Sequence, residues 1–258
     1  MKVTRERIAD GVVEHMFELT VADENVPGVI WFPEGAKGPR PLVLMGHGGS
    51  QHKKVIGIRT RAKAYVTELG YAVVAIDAPG HGDRIAREEA AALSQQTGRN
   101  IRDGRQMDSE RLKMMSQRTG RSVPEWKATL DAVQQLDYVG AERPVGYWGV
   151  SMGTAIGVPF VASEPRIKCA IFGLAGLRPG ATEFEAAAKS ITIPIQFSFQ
   201  WEDTVAPHEN GIALFEAFGS KEKSMHINPG GHVEIPQRER ESWQVFYVRH
   251  LGSYKIFS

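Results

Sequence analysis

The sequence predicts an α/β protein with a mostly parallel sheet covered by helices on both faces. Three observations carry the prediction. Short apolar runs such as Pro41-Leu42-Val43-Leu44-Met45 and Tyr71-Ala72-Val73-Val74-Ala75-Ile76 are what strands buried on both faces require. Stretches of helical spacing alternate with such runs, which favours crossover connections over hairpins. The run Pro144-Val145-Gly146-Tyr147-Trp148 passes through Gly149-Val150-Ser151-Met152-Gly153 into Thr154-Ala155-Ile156-Gly157-Val158. That is a strand turning sharply into a helix at a serine between two glycines, the pattern of a nucleophile elbow.

The elements follow in order. Val12 to Thr20 and Gly28 to Phe32 read as two early strands, and Pro33 to Pro39 as a turn-rich break. After the strand at Pro41 to Met45, Thr60 to Leu69 has helical spacing and Gly70 stops it. The strand at Tyr71 to Ile76 closes in Asp77-Ala78-Pro79-Gly80. Arg84 to Arg121 then breaks the alternation, being long, highly charged and punctuated by Gly98, Gly104 and Gly120. Glu88 to Leu93 and Asp108 to Gln117 look helical within it. A connection of this length inside a compact domain usually has structure or a role of its own, so 84–121 reads as a helical insertion and a cap over the site, in preference to a solvated excursion. A helix from Pro124 to Leu136 starts at its proline. The elbow helix extends to about Ala162, with Pro159 placed to kink or shorten it. Strands at Cys169 to Gly173 and Pro194 to Phe199, a helix at Asn210 to Phe218, a short strand at Lys223 to Asn228 and an amphipathic helix at Arg238 to Leu251 complete the chain.

At 258 residues the chain suits one large domain, 1–258. Lys and Arg number 31 against 30 Asp and Glu, which gives no reason to expect nucleic acid or an anionic membrane as partner. The single cysteine, Cys169, excludes an intrachain disulfide and opens an apolar run, so it reads as an inert core residue. Met1 to Arg7 lacks the apolar region of a signal peptide, and no apolar stretch approaches a membrane span. A soluble cytoplasmic protein is expected. Nothing in the sequence fixes its oligomeric state.

A serine hydroxyl is a poor nucleophile at neutral pH and needs a positioned base. Of eight histidines, His232 stands out, just past the last strand in Asn228-Pro229-Gly230-Gly231-His232. Its imidazole needs a carboxylate to fix the tautomer and stabilise the charged form. Asp203 supplies it, with Glu202 the rival, in Gln200-Trp201-Glu202-Asp203-Thr204-Val205 after the strand ending at Phe199. Ser151, Asp203 and His232 fall in serine–acid–histidine order. An oxyanion hole needs two backbone donors. One is the N–H of Met152, directly after the serine. The other comes from Gly46-His47-Gly48-Gly49-Ser50, where Gly49 is preferred and Ser50 is the alternate. His47 reads as a residue bracing that loop. A metal reading of Asp77, His81 and Asp83 matches no closed ligand set and yields to a structural turn. Pro229-Gly230-Gly231 and Gln200-Trp201 are expected to line the pocket. No cofactor or metal is expected.

These motifs together resemble the α/β-hydrolase superfamily: Gly46-His47-Gly48-Gly49, Asp77-Ala78-Pro79-Gly80-His81-Gly82, Gly149-Val150-Ser151-Met152-Gly153, Asp203-Thr204-Val205-Ala206-Pro207 and Gly230-Gly231-His232. Within it the chain looks most like the dienelactone-hydrolase-like and small carboxylesterase branch. The resemblance implies an eight-stranded, mostly parallel sheet flanked by helices and the hydrolysis of a small-molecule ester through an acyl-enzyme. True dienelactone hydrolases carry a cysteine where this chain has Ser151, which counts against the dienelactone substrate. Haloalkane dehalogenases and epoxide hydrolases place a carboxylate at the elbow and are disfavoured. Thioesterase, peptidase and acyltransferase chemistry share the triad and stay open, as does a non-catalytic ligand-binding member, whose usual mark would be a broken triad.

Overall fold

A computed structural model describes residues 1–103 and 109–252. One nine-stranded sheet runs through the molecule in the order β1-β2-β3-β5-β4-β6-β7-β8-β9. Its strands are β1 (Lys2–Ala9), β2 (Val12–Val21), β3 (Glu24–Pro33), β4 (Leu42–Gly46), β5 (Ala72–Ile76), β6 (Val145–Val150), β7 (Ile167–Gly173), β8 (Ile195–Gln200) and β9 (Lys223–Asn228). Pairings from β1 to β5 are antiparallel, and every pairing from β5 to β9 is parallel. The sheet has one strand more than the eight expected. The addition is β1, exposed along its whole length and rich in charge, as edge strands often are. It has no buried face to give it an apolar period. Its legible signal was the pair Asp10-Gly11, which takes φ 54° and 72° in the turn to β2, as a tight hairpin requires.

Among the described residues the helices are α1 (Ile56–Ala64), α2 (Arg87–Arg102), α3 (Ser109–Val133), α4 (Met152–Ala162), α5 (Thr182–Ser190), α6 (His208–Ala217) and α7 (Gln237–Leu251). A wider turn, Tyr65–Leu69, continues α1 to the left-handed Gly70. The helix expected to begin at Pro124 is instead the second half of α3, which passes through that proline. Of the expected insertion 84–121, α2 makes most of the first half, residues 104–108, with the start of the helix expected from Asp108, lie outside the described residues, and α3 runs on from 109 without a break into the core at Trp126, Leu130 and Val133. Pro159 likewise sits inside α4 without ending it. The sequence reading missed α5, which stands between two strands where only a connection was expected.

The core lies on both faces of the sheet. On one face α1 and α7 cover Val43, Val73, Trp148 and Ile171 with Ile58, Ala62, Trp243 and Tyr247. On the other, α3 to α6 cover Leu44, Val74, Tyr147 and Phe197 with Trp126, Val158, Ala188 and Leu214. Successive residues Tyr147 and Trp148 thus point to opposite faces, and both are buried, as a central strand demands. Among the described residues no helix is long and apolar enough to cross a membrane.

One buried polar cluster ties α7 to the strands that lead into the site. Glu239, in the first turn of α7, accepts hydrogen bonds from Ser198 Oγ at 2.5 Å, Gln196 Nε2 at 3.2 Å and Asn228 Nδ2 at 3.4 Å. His226 Nδ1 lies 3.1 Å from its other oxygen. Burial alone would raise the Glu239 carboxyl, but these partners outweigh it and hold the group down to about 2. Glu239 in turn raises His226 above its ordinary value, against the opposing effect of burial.

The signs differ for the two partners. Glu239 has a depressed folded pKa, so its contribution is present above the ordinary 4.5 and is lost as pH falls toward 2. His226 has a raised one, so its contribution is present below the ordinary 6.5 and is lost as pH rises through the folded value. The stability difference between wild type and Glu239→Gln should therefore be greatest between pH 4.5 and 6.5 and shrink on both sides. Urea denaturation across that range measures it, and a difference independent of pH would contradict the pairing.

Candidate active site

Every parallel strand delivers its carboxyl end to the same edge of the sheet, and the site is assembled there from loops. Ser151 follows β6 directly and caps α4, with φ 56° and ψ −119°. The flanking glycines are explained by close approach. A Cβ on Gly149 would lie 2.6 Å from the Gly153 carbonyl oxygen, and one on Gly153 would lie 2.5 Å from that of Gly46 in β4. The Tyr147 hydroxyl, buried under the turn, donates to the Gly153 carbonyl at 2.7 Å. Thr154 Oγ1 accepts from the Gly173 N–H at 2.9 Å and lies within hydrogen-bond distance of the Gly149 and Gly173 carbonyls. The Ser151 N–H donates to the Gly173 carbonyl at 2.8 Å.

Asp203 and His232 stand on the loops after the neighbouring strands β8 and β9. His232 Nε2 lies 3.0 Å from Ser151 Oγ, and His232 Nδ1 lies 2.7 Å from Asp203 Oδ2. With Nδ1–H donated to the carboxylate, Nε2 is left to accept the serine proton. The other Asp203 oxygen, Oδ1, accepts the N–H groups of Val205 at 2.8 Å and Ala206 at 2.9 Å, so both carboxylate oxygens are fixed. Asp203 and His232 are buried. Glu202, the rival acid, is exposed and takes the Gly230 N–H, bracing the histidine loop without touching the ring.

Gly49 and Met152 border the same cleft as Ser151 and His232. A Cβ on Gly49 would meet nothing within 4 Å, so its backbone is open to a bound molecule, whereas the Gly48 N–H faces the Gln51 side-chain oxygen at 3.2 Å. His47 braces this loop. It is buried, its Nδ1 lies 2.8 Å from the Gly48 carbonyl, and its Nε2 accepts the Ala78 N–H at 3.0 Å. Burial pushes it down to about 4, so it is neutral at physiological pH. Asp77 is the hub of the turn at 77–84. It accepts from the Lys53 N–H at 2.8 Å, from Lys53 Nζ at 2.6 Å and from the Asp83 N–H at 2.9 Å. An ammonium already occupies the place a cation would take. Among the described residues no group of His, Cys, Asp and Glu is arranged to hold a metal ion.

The cleft has a volume of about 1150 Å³. Part of its wall comes from the insertion, through Leu93, Thr97 and Ile101 of α2 and Gly120 of α3, with Val123 of α3 just beyond it. Its lining departs from expectation at both stretches expected there: neither Gln200-Trp201 nor Pro229-Gly230-Gly231 borders it, and His232 and Val233 are the nearest residues of the second loop that do. Gln200 is fully buried and donates to the Pro229 and Glu234 carbonyls, and Trp201 stacks on His208 with ring centroids 4.2 Å apart. These residues hold the two loops together and do not face the cleft. Sequence reasoning also missed Tyr147 and Thr154, whose hydroxyls fasten the elbow. A tyrosine or threonine within an apolar run was the only signal, and it does not separate a buried brace from packing.

No protein-family model matches the chain, and no curated protein matches it. Solved structures do. The PEG-bound complex of a novel cold-adapted esterase from an Arctic intertidal metagenomic library shares 34% identity over 97% of this chain and 100% of that one, with TM-score 0.80. At that likeness over almost the whole of both chains, this chain belongs to the same family as that esterase, within the α/β-hydrolase superfamily. More distant structures share the fold alone. An acetyl xylan esterase from Paenibacillus sp. R4 is 15% identical, with 97% of this chain and 88% of that one covered and TM-score 0.68. An acylaminoacyl peptidase from Pyrococcus horikoshii is 14% identical, with 99% of this chain but 43% of that one covered and TM-score 0.67.

The contacts at the elbow give a direct test. Gly153→Ala places a methyl group against the Gly46 backbone, which has no flexible side chain to yield. It should cost about 2 kcal/mol in chemical denaturation. A change below about 0.5 kcal/mol, the ordinary range for surface sites, would show that the turn is not closely packed.

Proposed function

We propose that this protein hydrolyses small-molecule carboxylic esters through an acyl-enzyme on Ser151. One observation carries the reading: Ser151, His232 and Asp203 form a continuous hydrogen-bonded relay, at 3.0 and 2.7 Å, opening on a large cleft. His232 Nε2 takes the proton of Ser151 Oγ as the oxygen attacks the ester carbonyl. Asp203 holds the resulting imidazolium through Nδ1–H. The backbone N–H groups of Met152, at the first turn of α4, and Gly49 receive the negative charge on the carbonyl oxygen, where the helix N-terminus adds its favourable field. The C–O bond to the alcohol breaks as His232 returns the proton to the leaving oxygen. Water, deprotonated by the same nitrogen, then attacks the acyl carbonyl and frees Ser151.

The segment 84–121 belongs to the proposal as a cap within one domain, 1–258. The placing of α2 and α3 residues in the cleft wall supports that role. A cytoplasmic location is part of the same reading, supported by a lone cysteine that is fully buried.

Ser151→Ala should abolish turnover of p-nitrophenyl acetate while circular dichroism stays unchanged, and a fluorophosphonate probe should label Ser151 in the wild type alone. Retained turnover in the variant would refute the nucleophile. At the oxyanion hole, Gly49→Pro removes the N–H and should lower kcat by about 10²- to 10³-fold with little change in KM. Gly49→Ala keeps the N–H and adds a methyl group to open space, so its kcat should stay within about twofold of wild type. Equal losses in the two variants would assign Gly49 a steric role.

A further inference from the structure

The cleft extends beyond the triad to a site the proposed mechanism does not use. Arg61 of α1 packs against two indole rings that meet edge to face, with its guanidinium carbon 3.9 Å from the Trp148 ring centre and 4.6 Å from that of Trp243. Both Arg61 and Trp148 line the cleft, together with Arg240 from α7 and the apolar Ile58 and Ile235. Among the described residues no carboxylate pairs with Arg61. The hydrogen bond of its guanidinium runs from Nη1 to the Gly57 carbonyl at 3.2 Å, while Nε–H is buried without an acceptor. Trp148 Nε1–H is buried without one as well. Burial lowers the Arg61 guanidinium to about 10, and it still carries its charge at neutral pH.

An unneutralised cation packed in the corner of two aromatic rings, beside a second guanidinium, is costly to maintain unless an anion visits it. A carboxylate fits best. It is planar and accepts parallel N–H bonds from a guanidinium fork, whose rigid geometry the stacking preserves. Trp148 lies on β6, three residues before Ser151, so the ring that Arg61 packs against and the serine belong to one continuous stretch of chain. The apolar walls at Ile58 and Ile235 suit a methylene spacer.

We propose that Arg61, Trp148 and Arg240 form a carboxylate subsite, which selects ester substrates bearing a free carboxylate at the far end of an aliphatic acyl chain. The inference rests on the ester-hydrolase reading for its substrate, but the subsite itself can be tested without turnover.

The test compares p-nitrophenyl hydrogen suberate with its methyl-capped counterpart. Wild type should favour the free acid by about tenfold in kcat/KM, expressed mainly in KM. That ratio should fall to about one in Arg61→Gln and be partly kept in Arg61→Lys, which retains the charge but not the fork. An equal ratio in wild type and Arg61→Gln, or a wild-type preference for the capped ester, overturns the proposal. If Arg61→Gln does not fold, Arg240→Gln carries the same comparison with an expected fall in the ratio of about threefold, and an unchanged ratio overturns it. Pentanoate that raises turnover of the capped ester without competing would assign the carboxylate to a free effector and overturn the substrate reading. Should wild type cleave neither ester, the hydrolase reading fails by itself, and calorimetry of suberate on Ser151→Ala decides the subsite. Saturable binding weakened by Arg240→Gln supports it, and no heat at about 10 mM overturns it.

Discussion

The site depends on a single strained residue. Ser151 holds φ 56° and ψ −119°, a conformation that costs a non-glycine residue about 1–3 kcal/mol and persists only where the surroundings over-determine it. Here they do so from four sides. The serine N–H is paired to β7, the Gly149 and Gly153 backbones are in contact, Gly153 lies against β4, and the Tyr147 and Thr154 hydroxyls take up polar groups the turn would otherwise leave unmet. Each of these supports belongs to the central strands or the first turns of α4. The strain is therefore opposed by the most deeply packed part of the protein. Its return is a hydroxyl raised above the sheet edge beside a helix N-terminus.

The acid and the base are held by the same logic applied to two neighbouring strands. Asp203 and His232 are 29 residues apart in sequence, and His232 and Ser151 are 81 apart, but each pair is joined because β6, β7, β8 and β9 stand side by side in parallel. The loops that follow β8 and β9 are then tied to each other. The Trp201 N–H donates to the Asn228 carbonyl at 2.7 Å, and the Glu202 N–H to that of Gly230 at 3.1 Å. Beneath them Glu239 joins β8, β9 and α7 through charge-assisted bonds, which are the stronger kind in a buried setting. An imidazole on a glycine-bearing loop would otherwise lose much of its orientation to loop entropy.

How much of this was legible follows from what each signal depends on. The parallel strands were readable because double burial leaves an uninterrupted apolar run, and the elbow because its steric demands force glycine at fixed spacing. That Asp203 and His232 would meet Ser151 was readable because the order of these residues along the chain places them after particular strands. The edge strand β1 was not, because an exposed strand has no hydrophobic period, and only Asp10-Gly11 marked its hairpin. The continuity of α3 through Pro124 was not either. Local preference makes a proline a start signal, and packing of Trp126, Leu130 and Val133 on the core overrides it. Gln200 and Trp201 were misread for a third reason. Position after a strand says that a residue is near the site, but not which way its side chain turns. Arg61 and Trp148 were invisible as a pair, since they meet only through the packing of α1 on β6.

The two walls of the cleft rest on different amounts of packing, and this separates chemistry from access. The wall that holds Ser151 and Asp203 is rooted in β6 and β8, whose residues are almost all buried, so displacing the serine means breaking the core. The α2 wall is not rooted in that way, because none of its residues is buried. An element with few buried apolar contacts opens at a free energy well below that of global unfolding. Opening of α2 would therefore break no contact of the elbow or of the Ser151–His232–Asp203 hydrogen bonds, which the sheet and its loops hold. The Arg61 crevice falls on the rigid side of this division, because Trp148 lies on β6 and Trp243 is buried against it, with ring centroids 5.5 Å apart. A group bound there would be held in register with Ser151 by the strand that leads directly into it.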